Sequence, residues 1–405
     1  MMNVEIKPGK LSGRVGAIAS KSHAHRLILC AALADAPTVI ACDGMSQDIR
    51  ATLDCVAALG AEVAVSDGEI CLSPIVRKPE RVVLPCNESG STLRFLLPVA
   101  AALYGEAVFT GVGRLGQRPN GPLLEQLAAH GAVIEQGTDP LFVVHGGLTP
   151  GAFCLPGDVS SQFVSGLLFA LPRLAGDSLL RVTSPVESAG YIDMTLDAIA
   201  AFGGEIGVKD DWVFAVSGGQ TLRSPGRIGA EGDWSNGAFW LAATAMGSDV
   251  HCDGLREQSK QPDRAVVDLL AAIGGGDATL DMSQTPDLVP ILAVAAAAGQ
   301  GVVRLTNAAR LRIKESDRLA AVAGNLRALG GEVEEGADEL IIHGTGGLRG
   351  GRVSGHNDHR MVMSCAIAAT ICRESVIIEG VGAADKSYPG FWADYAALGG
   401  DVRVL

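Results

Sequence analysis

Charged side chains are scarce in this chain: 19% of its 405 residues are Asp, Glu, Lys or Arg, against 48% hydrophobic. That balance excludes a disordered or fibrous protein. No CxxC pair occurs, and the nine cysteines are irregularly spaced. An odd, scattered set predicts reduced thiols and a cytoplasmic location. No apolar run approaches the ~20 residues that span a bilayer; Ile291–Gly299 is among the longest. The opening MMNVEIKPGKLSG has no apolar h-region, so no signal peptide is expected. No His/Cys/Asp/Glu group has metal-ligand spacing, and neither a Walker A nor a dinucleotide fingerprint appears. Positive charge is in deficit too. The net charge of −13 and pI of about 5.1 argue against nucleic acid or an anionic membrane as partner. Any local basic cluster therefore stands out against the bulk field.

What is present is a repeat. An apolar residue, then Gly-Gly or Gly-Ala, then a strand-like stretch recurs around Gly60, Gly131, Gly203, Gly274, Gly330 and Gly399. The step is about seventy residues, with one shorter step between the fourth and fifth copies. Before each glycine runs a helical pattern, as in Ile49–Leu59, and the glycine supplies the left-handed residue that stops it. Earlier in each copy lies a second, far more apolar helix: Ser20–Ala34, Gly90–Leu103, Ser160–Leu171, Ser235–Met246, Asp287–Ala298 and Asp358–Ile371. Apolarity on nearly every face marks a buried helix. Six units are too many for one core, so three per domain is expected. The break should fall between the third and fourth copies, with Gly226–Gly232 a candidate. The residues alone leave open which half the N-terminal strand joins.

The starts of the apolar helices carry the polar residues: Ser20-Lys21-Ser22-His23-Ala24-His25-Arg26, Glu88-Ser89-Gly90-Ser91-Thr92-Leu93-Arg94, Ser160-Ser161-Gln162, Asp233-Trp234-Ser235-Asn236, Pro286-Asp287 and Asn357-Asp358-His359-Arg360. For any single start, ordinary N-capping by Ser, Asp or Asn is the simpler reading. Capping does not explain Lys21, Arg26, Arg94 and Arg360. Cations in a first turn oppose the helix dipole and cost ~0.3–1 kcal/mol each unless an anion sits among them. A bound phosphate or carboxylate removes that conflict.

Three more segments fit the same logic: Gly113–Pro119 with Arg114 and Arg118, Arg310–Arg318 with dense alternating charge, and Asp385–Pro389 with Lys386. Each alone reads equally as a solvated surface. Together with the helix starts they favour one anion site, using Arg for bidentate contacts and Lys as a point charge. Glu315 and Asp287 are the acid–base candidates, although Asp287 reads alone as a simple N-cap. His359 could titrate near neutrality, and His23 and His25 read better as packing or polar contacts.

SKSHAHR, NESGSTLR, QRP, SSQF, EGDWSNGAFW, PD, RIKESDR, NDHRM and KSYPGF, in this order, resemble the motifs of the 3-phosphoshikimate 1-carboxyvinyltransferases (EPSP synthases) from Lys7 to Trp392. The resemblance implies an α/β (α+β) fold. It would be a two-domain inside-out barrel, each domain holding three βαβαββ units with buried parallel helices. It implies an N-terminal domain of residues 20–231 on the shikimate 3-phosphate side. Residues 1–19 plus 232–405 would form the C-terminal domain on the phosphoenolpyruvate side, with the active site in the interdomain cleft. The implied reaction transfers the enolpyruvyl group of phosphoenolpyruvate to the 5-hydroxyl of shikimate 3-phosphate, on the way to chorismate and the aromatic amino acids. No metal, organic cofactor, nucleic acid or membrane is implied, and the expected form is a cytoplasmic monomer.

Roles follow motif by motif from the same resemblance. Ser22, Arg26, Ser160, Ser161, Gln162, Ser188 and Tyr191 look like shikimate 3-phosphate ligands. Lys21 resembles a lysine shared by both substrates and, with Asp287 and Glu315, is expected to be catalytic. Gly90, Arg118, Arg318, Arg360 and Lys386 match phosphoenolpyruvate contacts. Asp287 and Lys314 match contacts to the shikimate hydroxyls, with Asp287 the base for the 5-hydroxyl, and Glu315 matches the residue that handles the methylene proton. Phe95, Ala19 and the pair Arg310-Leu311 depart from common family patterns without touching these roles.

Three rivals remain. A UDP-N-acetylglucosamine enolpyruvyl transferase usually has a cysteine in the loop before its Arg-Pro, and Gly113–Gln117 has none. A non-catalytic phosphate-ligand binder on this scaffold would have no use for Asp287 and Glu315. An RNA 3′-phosphate cyclase is disfavoured by the acidic charge.

Overall fold

In the computed structural model, residues 2–76, 79–209 and 212–405 are described. They divide into two compact units, Lys21–Ala230 and Met1–Ser20 with Glu231–Leu405. Twelve α-helices serve as landmarks: α1 (Lys21–Ala32), α2 (Gln47–Ala58), α3 (Gly90–Leu103), α4 (Gly121–Ala129), α5 (Ser161–Ala170) and α6 (Gly190–Ala201) in the first unit, then α7 (Trp234–Ala245), α8 (Val266–Gly274), α9 (Val289–Ala298), α10 (Arg318–Ala328), α11 (His359–Ala368) and α12 (Phe391–Ala397) in the second.

The unit of residues 21–230 holds three four-stranded sheets of one design. In the second copy, strand Arg81–Pro85 leads through α3 to the parallel strand Glu106–Thr110. A parallel pair needs such a crossover. Helix α4 then leads to the hairpin Val133–Gln136 and Phe142–His145, which adds antiparallel to Glu106–Thr110. The third copy repeats this with Ala152–Leu155, α5, Ser178–Val182, α6 and the pair Ile206–Lys209 and Val213–Val216. The first copy is permuted: its leading strand is Arg227–Gly229, which pairs parallel with Thr38–Ala41.

The other unit is less regular. One sheet runs Ala278–Asp281, Val302–Thr306, Leu340–His343, Glu332–Glu335. Another runs Gly351–Ser354, Val376–Glu379, Asn3–Ile6, Val402–Val404, so the N-terminal strand closes the sixth copy. The fourth copy keeps only Ser12–Gly16 and Asp249–Asp253, paired in parallel. Its terminal hairpin is missing, and Ala278–Asp281 already opens the fifth copy. That omission is the physical reason for the shorter repeat step. The same copy shifts its helix stop: Gly60, Gly131, Gly203, Gly330 and Gly399 have positive φ, whereas Gly274 lies inside α8 and Gly276 (φ 112°) makes the turn.

The apolar helices are buried as their composition requires. Every residue of α11 is buried, as are Val289–Ala297 of α9 and all of α5 except Gln162. Side chains on α2 separate by face: Ile49, Leu53 and Val56 go in, Arg50 and Asp54 stay out. Helices α3 and α5 pack so closely that a Cβ on Gly166 would lie 2.3 Å from the Arg94 carbonyl oxygen.

Candidate active site

The helix starts confirm capping at several places. Ser89, Ser160, Asp233 and Asp358 each accept a first-turn backbone N–H, which contributes ~1 kcal/mol apiece. Asp287 does not cap. It sits in the 3₁₀ turn Pro286–Leu288 ahead of α9 and makes no side-chain cap bond there. Its carboxylate is used elsewhere, as follows below.

In the unit of residues 21–230, Lys21, Ser22 and Arg26 lie on the first turns of α1. Lys21 Nζ bonds Asp48 Oδ2 at 2.8 Å, both side chains largely covered. Arg26 is 2% exposed. Its Nε donates to Thr195 Oγ1 (2.8 Å), Nη1 to the Ser22 carbonyl (2.5 Å) and Nη2 to the Tyr191 carbonyl (2.7 Å). The guanidinium also faces the Phe95 and Tyr191 rings at 5.1 and 5.8 Å from their centroids. Burial lowers its pKa to about 10, so it remains a cation at neutral pH. Ser188 precedes α6, is buried, and adopts φ 56°. A non-glycine residue in that region costs ~1–3 kcal/mol and tends to mark a functional turn.

Ser160, Ser161 and Gln162 begin α5. Gln162 accepts from Arg94 Nη1 (2.8 Å) and donates to Ser91 Oγ (2.8 Å), tying the starts of α3 and α5 together. Arg94 also donates to Asn120 Oδ1 and the Pro119 carbonyl. It braces the loop that carries Arg118. Gly90 opens α3 directly under that arginine: a Cβ there would fall 2.6 Å from Arg118 Nη1. A buried chain runs behind these residues, from His25 Nδ1 to Thr52 Oγ1 (2.6 Å), on to Thr92 Oγ1 (2.6 Å), and to the Ser89 Oγ cap (2.7 Å). Burial, then Lys21 and Arg26, hold the His25 imidazole well below its ordinary pKa, so it is neutral.

The second unit concentrates charge around one arginine. Arg318 is 1% exposed. It donates to Asp358 Oδ2 from Nε (2.8 Å), to Asp287 Oδ1 from Nη1 (2.7 Å) and to Glu315 Oε2 from Nη2 (2.8 Å). Lys314 Nζ lies 3.5 Å from Asp287 Oδ1, and Arg360 Nη2 lies 3.3 Å from Asp287 Oδ2. Burial opposes ionisation of Asp287, but Lys314, Arg360 and Arg318 overcome it and hold the carboxyl well below the usual range. Burial pushes the Lys314 ammonium down to about 8, with Asp287 only partly restoring it. Lys386, 8% exposed, donates to the Asn357 carbonyl at 2.6 Å. His356 and Asn357 both have positive φ in the loop that delivers Asp358, His359 and Arg360.

The structure thus groups Lys21, Ser22, Arg26 and Tyr191 in one unit, with Gly90, Arg118 and Gln162 around the α3 start. In the other unit it groups Asp287, Lys314, Glu315, Arg318 and Arg360, with Lys386 at the end of the 3₁₀ turn Val381–Lys386 and bonded to the Asn357 carbonyl. Sequence reasoning gave no role to Asp48, the partner of Lys21, or to Asp358, which had been seen only as a helix start. It missed Asp263 altogether. That residue is 2% exposed, accepts a hydrogen bond from Ser235 Oγ, and is pushed up by burial to about 6. A carboxylate two residues after Gln261 in a turn gives no sign in sequence of facing Ser235. Among the described residues no group of three His, Cys, Asp or Glu could hold a metal ion, and no helix is long and apolar enough to cross a membrane.

The whole chain is similar to known proteins. The chain is 41% identical over 422 residues to the 3-phosphoshikimate 1-carboxyvinyltransferase of Clostridium acetobutylicum, covering 99% of this chain and 98% of that one. It is 40% identical over 425 residues to the enzyme of the same name from Clostridium perfringens, covering both chains in full. In fold it is similar to the EPSP synthase of Acinetobacter baumannii (TM-score 0.83, 24% identity, both chains fully covered). It is likewise similar to the enolpyruvyl transferase NikO of Streptomyces tendae (TM-score 0.79, 18% identity, covering 100% and 99%). Residues 6–395 match the family model of EPSP synthase (3-phosphoshikimate 1-carboxyvinyltransferase), and the chain belongs to that family.

Proposed function

We propose that the chain transfers the enolpyruvyl group of phosphoenolpyruvate to the 5-hydroxyl of shikimate 3-phosphate, releasing phosphate. The observation that carries this reading is the sharing of Arg318 by two carboxylates, Asp287 and Glu315, with Lys314 and Arg360 closing on Asp287. Two acid–base groups on one buried cation suit a reaction that moves protons at two adjacent atoms of anionic substrates.

Lys21, Ser22, Ser160, Ser161, Gln162, Ser188 and Tyr191 hold shikimate 3-phosphate, with Arg26 bracing Ser22 and Tyr191 while adding charge. Arg118, Arg318, Arg360 and Lys386 hold phosphoenolpyruvate, with Gly90 leaving room for Arg118, and Lys21 serves both. Lys314 and Asp287 hold the shikimate hydroxyls. The product requires a new bond from the 5-oxygen to the enol carbon and loss of the carbon–phosphate oxygen bond. Addition protonates the methylene and takes the hydroxyl proton; elimination removes a methyl proton as phosphate leaves. Glu315 handles the carbon proton and Asp287 the hydroxyl proton. Asp287 alone is a weak base beside three cations. Phosphoenolpyruvate brings negative charge to Arg318 and Arg360, which relieves that field and raises its basicity. The cations Lys21, Arg118, Lys314, Arg318, Arg360 and Lys386 also offset the repulsion between two multiply charged anions.

The test is to mix the protein with shikimate 3-phosphate and phosphoenolpyruvate and follow phosphate release. Release with UDP-N-acetylglucosamine in place of shikimate 3-phosphate, and none with the latter, would sink the assignment. The enzyme is read as cytoplasmic, in keeping with its nine free cysteines. It is also read as a monomer, for which light scattering should give 41.6 kDa.

A further inference from the structure

Asp263 has no place in the roles above, yet its surroundings tie it to one of them. It lies in the 3₁₀ turn Pro262–Ala265, ahead of α8. Burying a carboxylate costs several kcal/mol unless partners compensate. The charge of Arg360 offsets part of that cost, and so does Ser235, the second residue of α7, whose Oγ donates to Asp263 Oδ2. The same Oγ accepts from Arg360 Nη2 at 2.8 Å, and the Ser235 carbonyl takes Arg360 Nη1 at 3.4 Å. Arg360 Nη2 continues to Asp287 Oδ2 at 3.3 Å. The turn itself is tied to α7: Gln261 accepts from the Trp234 N–H (3.1 Å) and donates to the Gly232 carbonyl (2.8 Å).

A serine hydroxyl has one hydrogen and two lone pairs. With its hydrogen on Asp263, the oxygen can offer Arg360 only lone pairs. Without Asp263, the hydroxyl hydrogen loses the carboxylate that holds it, and the direction of the lone pairs is no longer fixed. We propose that Asp263 is a positioning residue of the reaction: it takes the Ser235 hydrogen, turns the serine lone pairs onto Arg360, and so holds that guanidinium for the phosphoenolpyruvate anion. Burial moves the Asp263 carboxyl up only to about 6, which leaves it ionised and accepting at neutral pH. The inference rests on the reading of Arg360 as a phosphoenolpyruvate contact.

The experiment is steady-state kinetics of the full-length enzyme at neutral pH, with thermal melts to confirm folding. Asp263→Ala and Ser235→Ala should each raise KM for phosphoenolpyruvate about tenfold, the effect of one displaced charged hydrogen bond. Changes in kcat and in KM for shikimate 3-phosphate should be under threefold. The double variant should be no worse than Ser235→Ala, because the carboxylate acts through the serine. Asp263→Asn retains an acceptor for the hydroxyl and should recover at least half of the loss. An unchanged KM for phosphoenolpyruvate in Ser235→Ala overturns the proposal, even if Asp263→Ala does not fold. So do Asp263 and Ser235 effects that multiply in the double variant. Arg360→Gln separates the two readings: if it leaves KM for phosphoenolpyruvate unchanged, both fail. If it raises that KM while Asp263→Ala does not, only the positioning role fails.

Discussion

Arg318 and Asp358 form a two-point ion pair sealed from water: Nε meets Oδ2 at 2.8 Å, Nη2 meets Oδ1 at 3.2 Å, and the side chains are 1% and 0% exposed. The same carboxylate accepts from Ser316 Oγ and from the Arg360 N–H at the start of α11. Asp358 therefore fixes the two arginines that flank Asp287. Arg318 holds Asp358 below the ordinary carboxylate range even though burial pulls the other way.

Removing one charge from that pair leaves the other buried and poorly compensated. Asp358→Asn should lower the unfolding free energy by about 3 kcal/mol, the usual scale for breaking a buried pair. Urea denaturation measures it. A midpoint equal to that of the parent protein would show that the pair is not structural.

Glu315 bonds Arg318, and Asp317 rather than Glu315 caps α10, so the isosteric amide should keep the fold and lose the chemistry. Glu315→Gln should reduce kcat by about 10²–10⁴-fold, the span of a lost acid–base group. Affinity for shikimate 3-phosphate, measured by calorimetry, should stay within threefold. Full turnover in this variant would take Glu315 out of the mechanism.

Lys314 titrates at about 8 in the folded protein because burial strips its ammonium of water. Lowered from 10.5, the group is charged below pH 8 and neutral above it. Loss of its proton removes a cation from the proposed shikimate 3-phosphate site, so affinity should fall as pH rises through 8, by up to about tenfold per unit. Calorimetric titrations from pH 7 to 9.5 would show the bend, and Lys314→Arg should abolish it. A flat profile for the parent protein would contradict the assignment.

Gly90 gives Arg118 its place. A methyl group there would overlap Nη1 at 2.6 Å and Cζ at 2.9 Å. The flexible end of Arg118 must then move, while α3 gains helix propensity. Gly90→Ala should fold normally and raise KM for phosphoenolpyruvate about tenfold, which corresponds to ~1.4 kcal/mol. Unchanged KM values for both substrates would mean that Arg118 does not reach the anion.

Much of this was legible in one dimension. The recurring glycines and the six apolar helices fall where the observed copies lie, because burial and helix termination act locally. The short fourth step recorded a lost hairpin, but spacing alone could not say which strands were gone. Arg227–Gly229 was invisible as a strand, since three residues with two glycines nearby carry no periodicity, and its partner Thr38–Ala41 is far away in the chain. The cations of the helix starts were legible because they oppose the dipole. Their partners were not: Asp48, Asp263 and Asp358 resemble any acidic turn or cap residue until folding brings Lys21, Ser235 and Arg318 against them. Arg94 was grouped with the anion holders, whereas its donors to Asn120, Gln162 and Pro119 make it a brace.

The strand Asn3–Ile6 has consequences for how the protein is made. It is made before residues 21–230, yet it is hydrogen-bonded to Val376–Glu379 and Val402–Val404, which are made after them. Residues 21–230, by contrast, own every strand of their sheets once Gly229 has emerged. The nascent chain should therefore complete an early folded body while strand Asn3–Ile6 waits unpaired until residues 376–404 follow. A product that stalls after residue 230 would carry that body intact together with an unpaired strand-forming segment, the kind of surface that chaperones and proteases seize.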